Sequence, residues 1–222
     1  MLSPEIYRFI SDLSKNNYRE WFQENKTRYQ NCKENFLQNL EIIIHEVGKF
    51  DKSIPGIAPG DCIFRINRDI RFSNNKEPYK TNFGAFIAPG GRNNGKAGYY
   101  IHIEPGNSFL AGGIYMPSSP VLKAIRREVF ENYAEFLAIV KKKEFIQHFG
   151  GLSGDKLKMR PAGFPENFEG MEYLKFKHYT VMKVCSESDF TSEHFIADAV
   201  NVFKALFPLN RFLNEAIEKV EE

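Results

Sequence analysis

Between Asp61 and Ile101 the chain carries seven bases, Arg65, Arg68, Arg71, Lys76, Lys80, Arg92 and Lys96, against three acids, Asp61, Asp69 and Glu77. That is a local excess of +4 in a chain whose formal net charge is +2, so the rest of the protein is net acidic. Arginine offers a planar fork of N–H donors that holds a carboxylate or a phosphate at two points. Arg65, Arg68 and Arg71 follow one another closely as the chain leaves a strand, and they are expected to converge on one anion. Tyr79 and Lys80 would close the other side, with Asp69, Lys76 and Asn82 in the same wall. This is the chemistry of a pocket for a small phosphorylated or carboxylated molecule.

A second candidate group lies further on. Tyr100, His102 and Glu104 share one face of an alternating segment, and Glu104 is placed to orient the imidazole so that His102 moves a proton. Gly112 and Gly113 fall in the next strand. Glycine inside a strand marks a bulge or a close approach by something else, so these two are expected to leave room beside His102 as the floor of a ligand site. An enzyme built this way would hold a phosphate or carboxylate on the arginines and neutralise developing charge with Lys80. His102, set by Glu104, would act as its proton carrier, which suits metal-free phosphoester or acyl-phosphate chemistry. No cofactor is expected.

Two other readings stand beside this one. Asp69 can pair with Arg65, Arg68 or Arg71 and brace a loop against the sheet. If that network is buried, removing Asp69 strands charge and is costly. Alternatively the cluster contacts a nucleic-acid backbone together with a second basic group, Lys156, Lys158, Arg160, Lys175 and Lys177. Phe164, Phe168, Tyr173 and Phe176 interleave with that group, a mixture that can stack bases and neutralise phosphates.

Several motifs come close without fitting. Gly90, Gly95 and Lys96 have the spacing of a phosphate-binding loop, but Ala97 stands where a magnesium-binding hydroxyl is required. The segment also leads into a strand rather than a helix. A glycine-rich hairpin loop is the expected reading. His45-Glu46 opens like a zinc-protease helix, but position 49 is Lys. Cys32, Cys62 and Cys185 are odd in number, far apart and without a Cys-x-x-Cys pair. A disulfide framework and a Cys-rich zinc site are therefore not expected, and a reducing cytoplasm is. The amino terminus lacks a basic and apolar leader, and no run approaches the 18 apolar residues of a membrane span. Apolar residues make up 42% of the chain, with 21 Phe and 10 Tyr, which excludes a disordered, charge-extended protein.

The elements that must position these residues follow from periodicity. Ser3-Pro4-Glu5 opens a helix ending near Lys15. Asn17 is expected to cap a second, long helix to about Lys49, with Glu20 completing a capping box. Phe22, Tyr29, Phe36 and Ile43 recur every seven residues along its buried face. The period then becomes two, predicting strands at 62–66, 83–87, 97–104 and 107–116. Pro105-Gly106-Asn107 turns between the last two. Helices are predicted after Ser119-Pro120, over 133–149, near Met171, and from Phe190 to Val220 with a break at Pro208. Residues 179–185 are predicted as one more strand. The fold class is α+β: a central, mainly antiparallel sheet flanked by helices, with a long amino-terminal helical hairpin. One domain is expected over 1–222, with the helical hairpin in 1–50, the sheet-forming segment in 61–117, and helices plus one strand in 118–222.

The segments Ile63-Phe64-Arg65-Ile66-Asn67-Arg68-Asp69-Ile70-Arg71-Phe72-Ser73, Lys76-Glu77-Pro78-Tyr79-Lys80-Thr81-Asn82-Phe83-Gly84 and Gly98-Tyr99-Tyr100-Ile101-His102-Ile103-Glu104-Pro105-Gly106 are long enough to be specific. With Gly112-Gly113-Ile114-Tyr115-Met116-Pro117, and Arg19-Glu20-Trp21-Phe22 upstream, the chain resembles the domain-of-unknown-function family two-four-six-one over roughly residues 5–215. The resemblance implies a single α+β domain and supplies no activity, substrate or catalytic residue.

Overall fold

Alternating sequence becomes alternating burial in the computed structural model, which describes residues 1–221. Strands β1 (Phe83–Ile87), β2 (Gly98–Ile103), β3 (Ser108–Ile114) and β4 (Tyr179–Cys185) form an antiparallel sheet in that order. Successive side chains of a strand point to opposite faces. One face is formed by Phe83, Ala85, Ile87, Tyr99, Ile101, Ile103, Leu110, Ile114, Tyr179 and Val181, all buried. Each large side chain so buried contributes on the order of 2 kcal/mol. β2 and β3 join through Glu104–Asn107, closed by Asn107 N–H donating to Glu104 O at 3.0 Å, with Gly106 at φ +73°. The positive φ after proline is the type II turn pattern.

The helices cover the buried face. α1 (Glu5–Lys15), α2 (Arg19–Glu24) and α3 (Lys26–Val47) come first, and α4 (Pro59–Cys62) is a single turn. α5 (Ser119–Glu131), α6 (Tyr133–Val140), α7 (Lys143–Phe149), α8 (Met171–Leu174) and α9 (Glu187–Thr191) lead to α10 (Phe195–Glu221), which packs on β3, α3 and α5. α3 meets β1 through Phe36 and Tyr29 against Phe83. The observed class is α+β, with a four-stranded antiparallel sheet and amino-terminal helices. No helix of the described residues is long and apolar enough to cross a membrane.

Four local expectations are corrected. The long second helix is cut at Asn25, whose side-chain amide and backbone N–H both turn back onto Trp21 O, at 2.9 and 3.0 Å. The Phe22–Tyr29–Phe36–Ile43 stripe nevertheless stays on the core side across the cut. Asn17 does not cap α2; Tyr18 occupies that position without a side-chain bond. The asparagine amide instead bonds the backbone N–H and C=O of Tyr79 at 3.1 and 3.0 Å. Residues 133–149 form two helices, broken at Lys141–Lys142. Pro208 does not break α10. Phe203, Leu206, Leu209 and Phe212 are buried on both sides of it, so packing outweighs the hydrogen bond the proline removes. Lys204, whose carbonyl loses that partner, is exposed and open to water.

The expected strand at 62–66 is also different. Cys62 ends α4, and the following residues make only isolated bridges to the free edge of β1 and the chain before it: Ile63 with Ala85, and Asn67 with Tyr79. Four steps on one side match six on the other, so two extra residues bulge out of the 79–85 side.

Candidate functional site

That bulge determines where the polar side chains go. Bulges re-aim side chains and are common beside functional sites. Here the bulge turns Thr81 and Asn82 over the end of β2. Thr81 Oγ1 donates to Glu104 Oε1 at 3.2 Å, and Asn82 Nδ2 lies 3.3 Å from both ring nitrogens of His102. Equal distances to both nitrogens place the amide over the ring face. Phe109 stacks on His102 at 4.5 Å and 12°.

Both nitrogens of His102 are engaged at the ring edge. Nδ1 is 2.8 Å from the Tyr100 hydroxyl and Nε2 is 3.2 Å from Glu104 Oε2. With Glu104 ionised, the pattern that satisfies every group is Nε2–H donating to the carboxylate and Tyr100 O–H donating to Nδ1. Burial opposes ionisation of Glu104, but hydrogen bonds from Asn107, His102 and Thr81 outweigh it and hold the carboxyl below its ordinary value. Burial, with the Glu104 charge nearby, pushes the Tyr100 phenol up to about 12.

Gly84, across from His102 on β1, makes the room for this arrangement. A Cβ there would stand 2.8 Å from the Tyr100 hydroxyl. Gly84→Ala is therefore expected to separate Tyr100 from His102 and to cost roughly 1–3 kcal/mol through overpacking and one lost hydrogen bond. Thermal melting read together with the imidazole NMR signals of His102 checks this. An unchanged His102 environment would show that Tyr100 was not held by this contact.

The cations gather on the same face. Phe64, whose N–H donates to Gly84 O at 2.9 Å, leaves its ring 40% exposed. Lys80 Nζ stands 5.4 Å from the ring centroid and the Arg92 guanidinium 5.9 Å, while the Tyr100 ring packs edge-on at 6.1 Å. Arg92 reaches in from the β1–β2 loop and is steered by a 2.6 Å bond to Asp61 O. Burial first, then the charges of Arg65 and Arg92, hold the Lys80 ammonium below its ordinary value. None of Arg65, Lys80 and Arg92 forms an ion pair with a carboxylate of the described residues. Beside Lys80 a polar hollow of about 290 Å³ is bounded by Arg68, Asn75, Glu77, Lys80, Asn82 and Glu104.

The sequence of the chain matches the family model described as a conserved hypothetical protein, DUF2461, over residues 5–212. The chain belongs to the DUF2461 family. No curated protein and no solved structure matches it. The matched span holds every residue of the site just described.

In this DUF2461 protein most of the residues expected to act together separate into two groups. Arg65, Lys80, Asn82, His102 and Glu104 lie on or beside the open sheet face. Arg68, Asp69, Arg71 and Lys76 belong to the loop before Tyr79 and are occupied there. Arg68 donates to Glu77 O and Ser73 Oγ, Arg71 grips Asp69 with two bonds of 2.9 and 2.7 Å, and Lys76 donates to Ile70 O. The three arginines thus do not converge, because the loop turns Arg68 and Arg71 onto local partners. The Asp69–Arg71 pair is exposed, so Asp69→Ala is expected to leave the melting temperature unchanged. A fall of several degrees would restore the bracing network.

Tyr79 borders the hollow beside Lys80. Its ring is buried and stacked on Phe22 at 4.0 Å and 16°. Gly112 and Gly113 pair with Tyr99 and Gly98 rather than beside His102, whose neighbour on β3 is Phe109. Among the described residues no group of three His, Cys, Asp or Glu side chains could hold a metal ion. The sequence reading counted Arg92 in the basic cluster without placing it in the pocket, and it missed Phe64, Thr81 and Gly84. Only Phe64 and Gly84 left a local signal, an aromatic and a glycine inside strand patterns.

Proposed function

We propose that the protein binds a small anionic molecule, bearing phosphate or carboxylate, on Arg65, Lys80 and Arg92 beside Phe64. One observation carries the reading: Lys80 and Arg92 stand over one exposed aromatic ring, Arg65 is close enough for its charge to act on Lys80, and none of the three forms an ion pair with a carboxylate of the described residues. Crowding of like charge is unfavourable to the fold alone, whereas an arriving anion relieves it. A purely structural brace would carry its own carboxylate, as the Asp69–Arg71 pair does. In this reading His102 and Glu104 act as positioning residues. His102 is 7% exposed and engaged at both nitrogens, so it orders Tyr100 and Glu104 at the edge of the site.

Nucleic-acid backbone contact through two basic segments has less support. Lys156 and Lys175 pair with Glu172, and Arg160 with Glu166. Phe176 lies buried, and Phe164, Phe168 and Tyr173 pack against the core. The same reading takes 1–222 as one domain, since one cluster of buried apolar side chains extends from Leu2 to Ile217. It places the protein in a reducing compartment, which suits three free cysteines.

The test is thermal shift and calorimetric titration of the purified protein with inorganic phosphate, succinate and sugar phosphates. A bound anion at 100 times its dissociation constant adds about 2.7 kcal/mol, roughly 5–11 °C for a chain of this size. The shift is expected to vanish in Arg65→Ala. Stabilisation by an oligonucleotide alone, with affinity falling steeply as salt rises, would replace this reading with the nucleic-acid one.

A further inference from the structure

We infer that the anion bound here carries hydroxyl groups next to its charge, as a sugar phosphate does. This rests on the anion-binding reading and names the class of ligand. The cationic cluster and the polar hollow share Lys80, so a ligand whose charge meets Arg65, Lys80 and Arg92 extends its remainder into the hollow. That hollow is lined by two carboxylates, Glu77 and Glu104, two amides, Asn75 and Asn82, and two cations, Arg68 and Lys80; Arg68 stands 3.7 Å from Glu77 Oε2.

The lining discriminates between classes of anion. Glu104 is held ionised by its hydrogen bonds. Arg68 is paired with Glu77 and Lys80 is taken by the first anionic group, so a second phosphate or carboxylate entering the hollow would meet the Glu104 carboxylate with no free cation beside it. A neutral hydroxyl donates to an ionised carboxylate in a charge-assisted bond, about twice as strong as a neutral one. Acceptor capacity remains for it. Glu104 Oε2 takes His102 Nε2 and Asn107 Nδ2, whereas Oε1 takes only Thr81 Oγ1. Glu77 Oε2 accepts from Asn75 Nδ2 at 2.9 Å, and no hydrogen bond among the described residues reaches its Oε1. Each carboxylate oxygen has two lone pairs. The hollow's 290 Å³ equals the liquid share of about ten waters. That is room for a single sugar ring. The second charge of a dicarboxylate or a polyphosphate does not suit the hollow.

Calorimetric titration of the intact protein with inorganic phosphate, glucose 6-phosphate, glucose and succinate tests the inference. Glucose 6-phosphate is expected to bind at least tenfold more tightly than inorganic phosphate. Glu104→Gln should erase that advantage. Because Glu104 also holds His102, Glu77→Gln provides an exposed second variant, expected to reduce the advantage without moving the melting temperature. Equal binding of inorganic phosphate and glucose 6-phosphate, or an advantage untouched by both variants, overturns the inference and leaves anion binding intact. Tighter binding of succinate does the same. Binding of none of the three anions overturns both.

Discussion

Lys80→Met is expected to lower anion affinity roughly ten- to hundredfold, the effect of losing one hydrogen bond to a charged group, and to leave the protein at least as stable as before. Two consequences of one position account for this. Methionine keeps the aliphatic stem against Phe64, so little packing is lost. The charge it removes is one the fold bears unpaired, held below its ordinary value by burial and by Arg65 and Arg92. The sign follows from linkage. Between its lowered folded value and its ordinary unfolded value, Lys80 is more protonated in the unfolded chain. Stability therefore rises with pH through that window as the folded state escapes an unfavourable charge. Melting curves of wild type and Lys80→Met across the alkaline range should converge as pH climbs. A variant several degrees less stable at neutral pH, or one that binds anions as before, would show that Lys80 serves the fold and not the ligand.

Gly112→Ala is expected to cost about 3 kcal/mol, at the upper end of overpacking, which lowers the melting temperature by roughly 6–12 °C. An added Cβ would lie 2.3 Å from Gly98 O and 2.3 Å from Leu206 Cδ2. The carbonyl belongs to the neighbouring strand and cannot yield without breaking the sheet. Leu206 is fully buried on α10. The folded fraction should bind anions with unchanged affinity, because this glycine admits a helix and not a ligand. Gly113 is held more tightly still, at φ +94° with Tyr179 O only 2.0 Å from an added Cβ. A stable Gly112→Ala protein with altered ligand affinity would restore the floor expected from sequence.

Strands β1 and β4 were legible to the residue, because alternation over five to seven positions is a local property of the chain. The His102–Glu104 contact was legible for the same reason, since residues two apart share a face. What failed depends on pairing at a distance. The bulge arises only when residues 63–67 meet 79–85 in two registers. Arg92 joins the cluster through a loop whose path its own residues do not reveal. The closeness of Arg65, Arg68 and Arg71 indicated a basic region, but a strand edge and a turning loop divide them. Glycines inside β3 correctly announced a close approach, and only the tertiary structure shows that the approaching body is α10.

The grip of Asn17 and Phe22 on Tyr79 ties the margin of the binding face to the amino-terminal helices. The backbone amides of Arg68 and Lys80 donate to Pro78 O and Ile66 O along this margin, at the solvent side of the sheet and next to no regular strand. Their hydrogen-exchange protection is therefore governed by how often this one latch opens, and not by unfolding of the β2–β3 hairpin. Breaking the latch in Asn17→Ala frees the margin as a small cooperative unit of its own. Deuterium uptake would then accelerate at Arg68 and Lys80 while Ile101 and Leu110 keep the protection of the global fold.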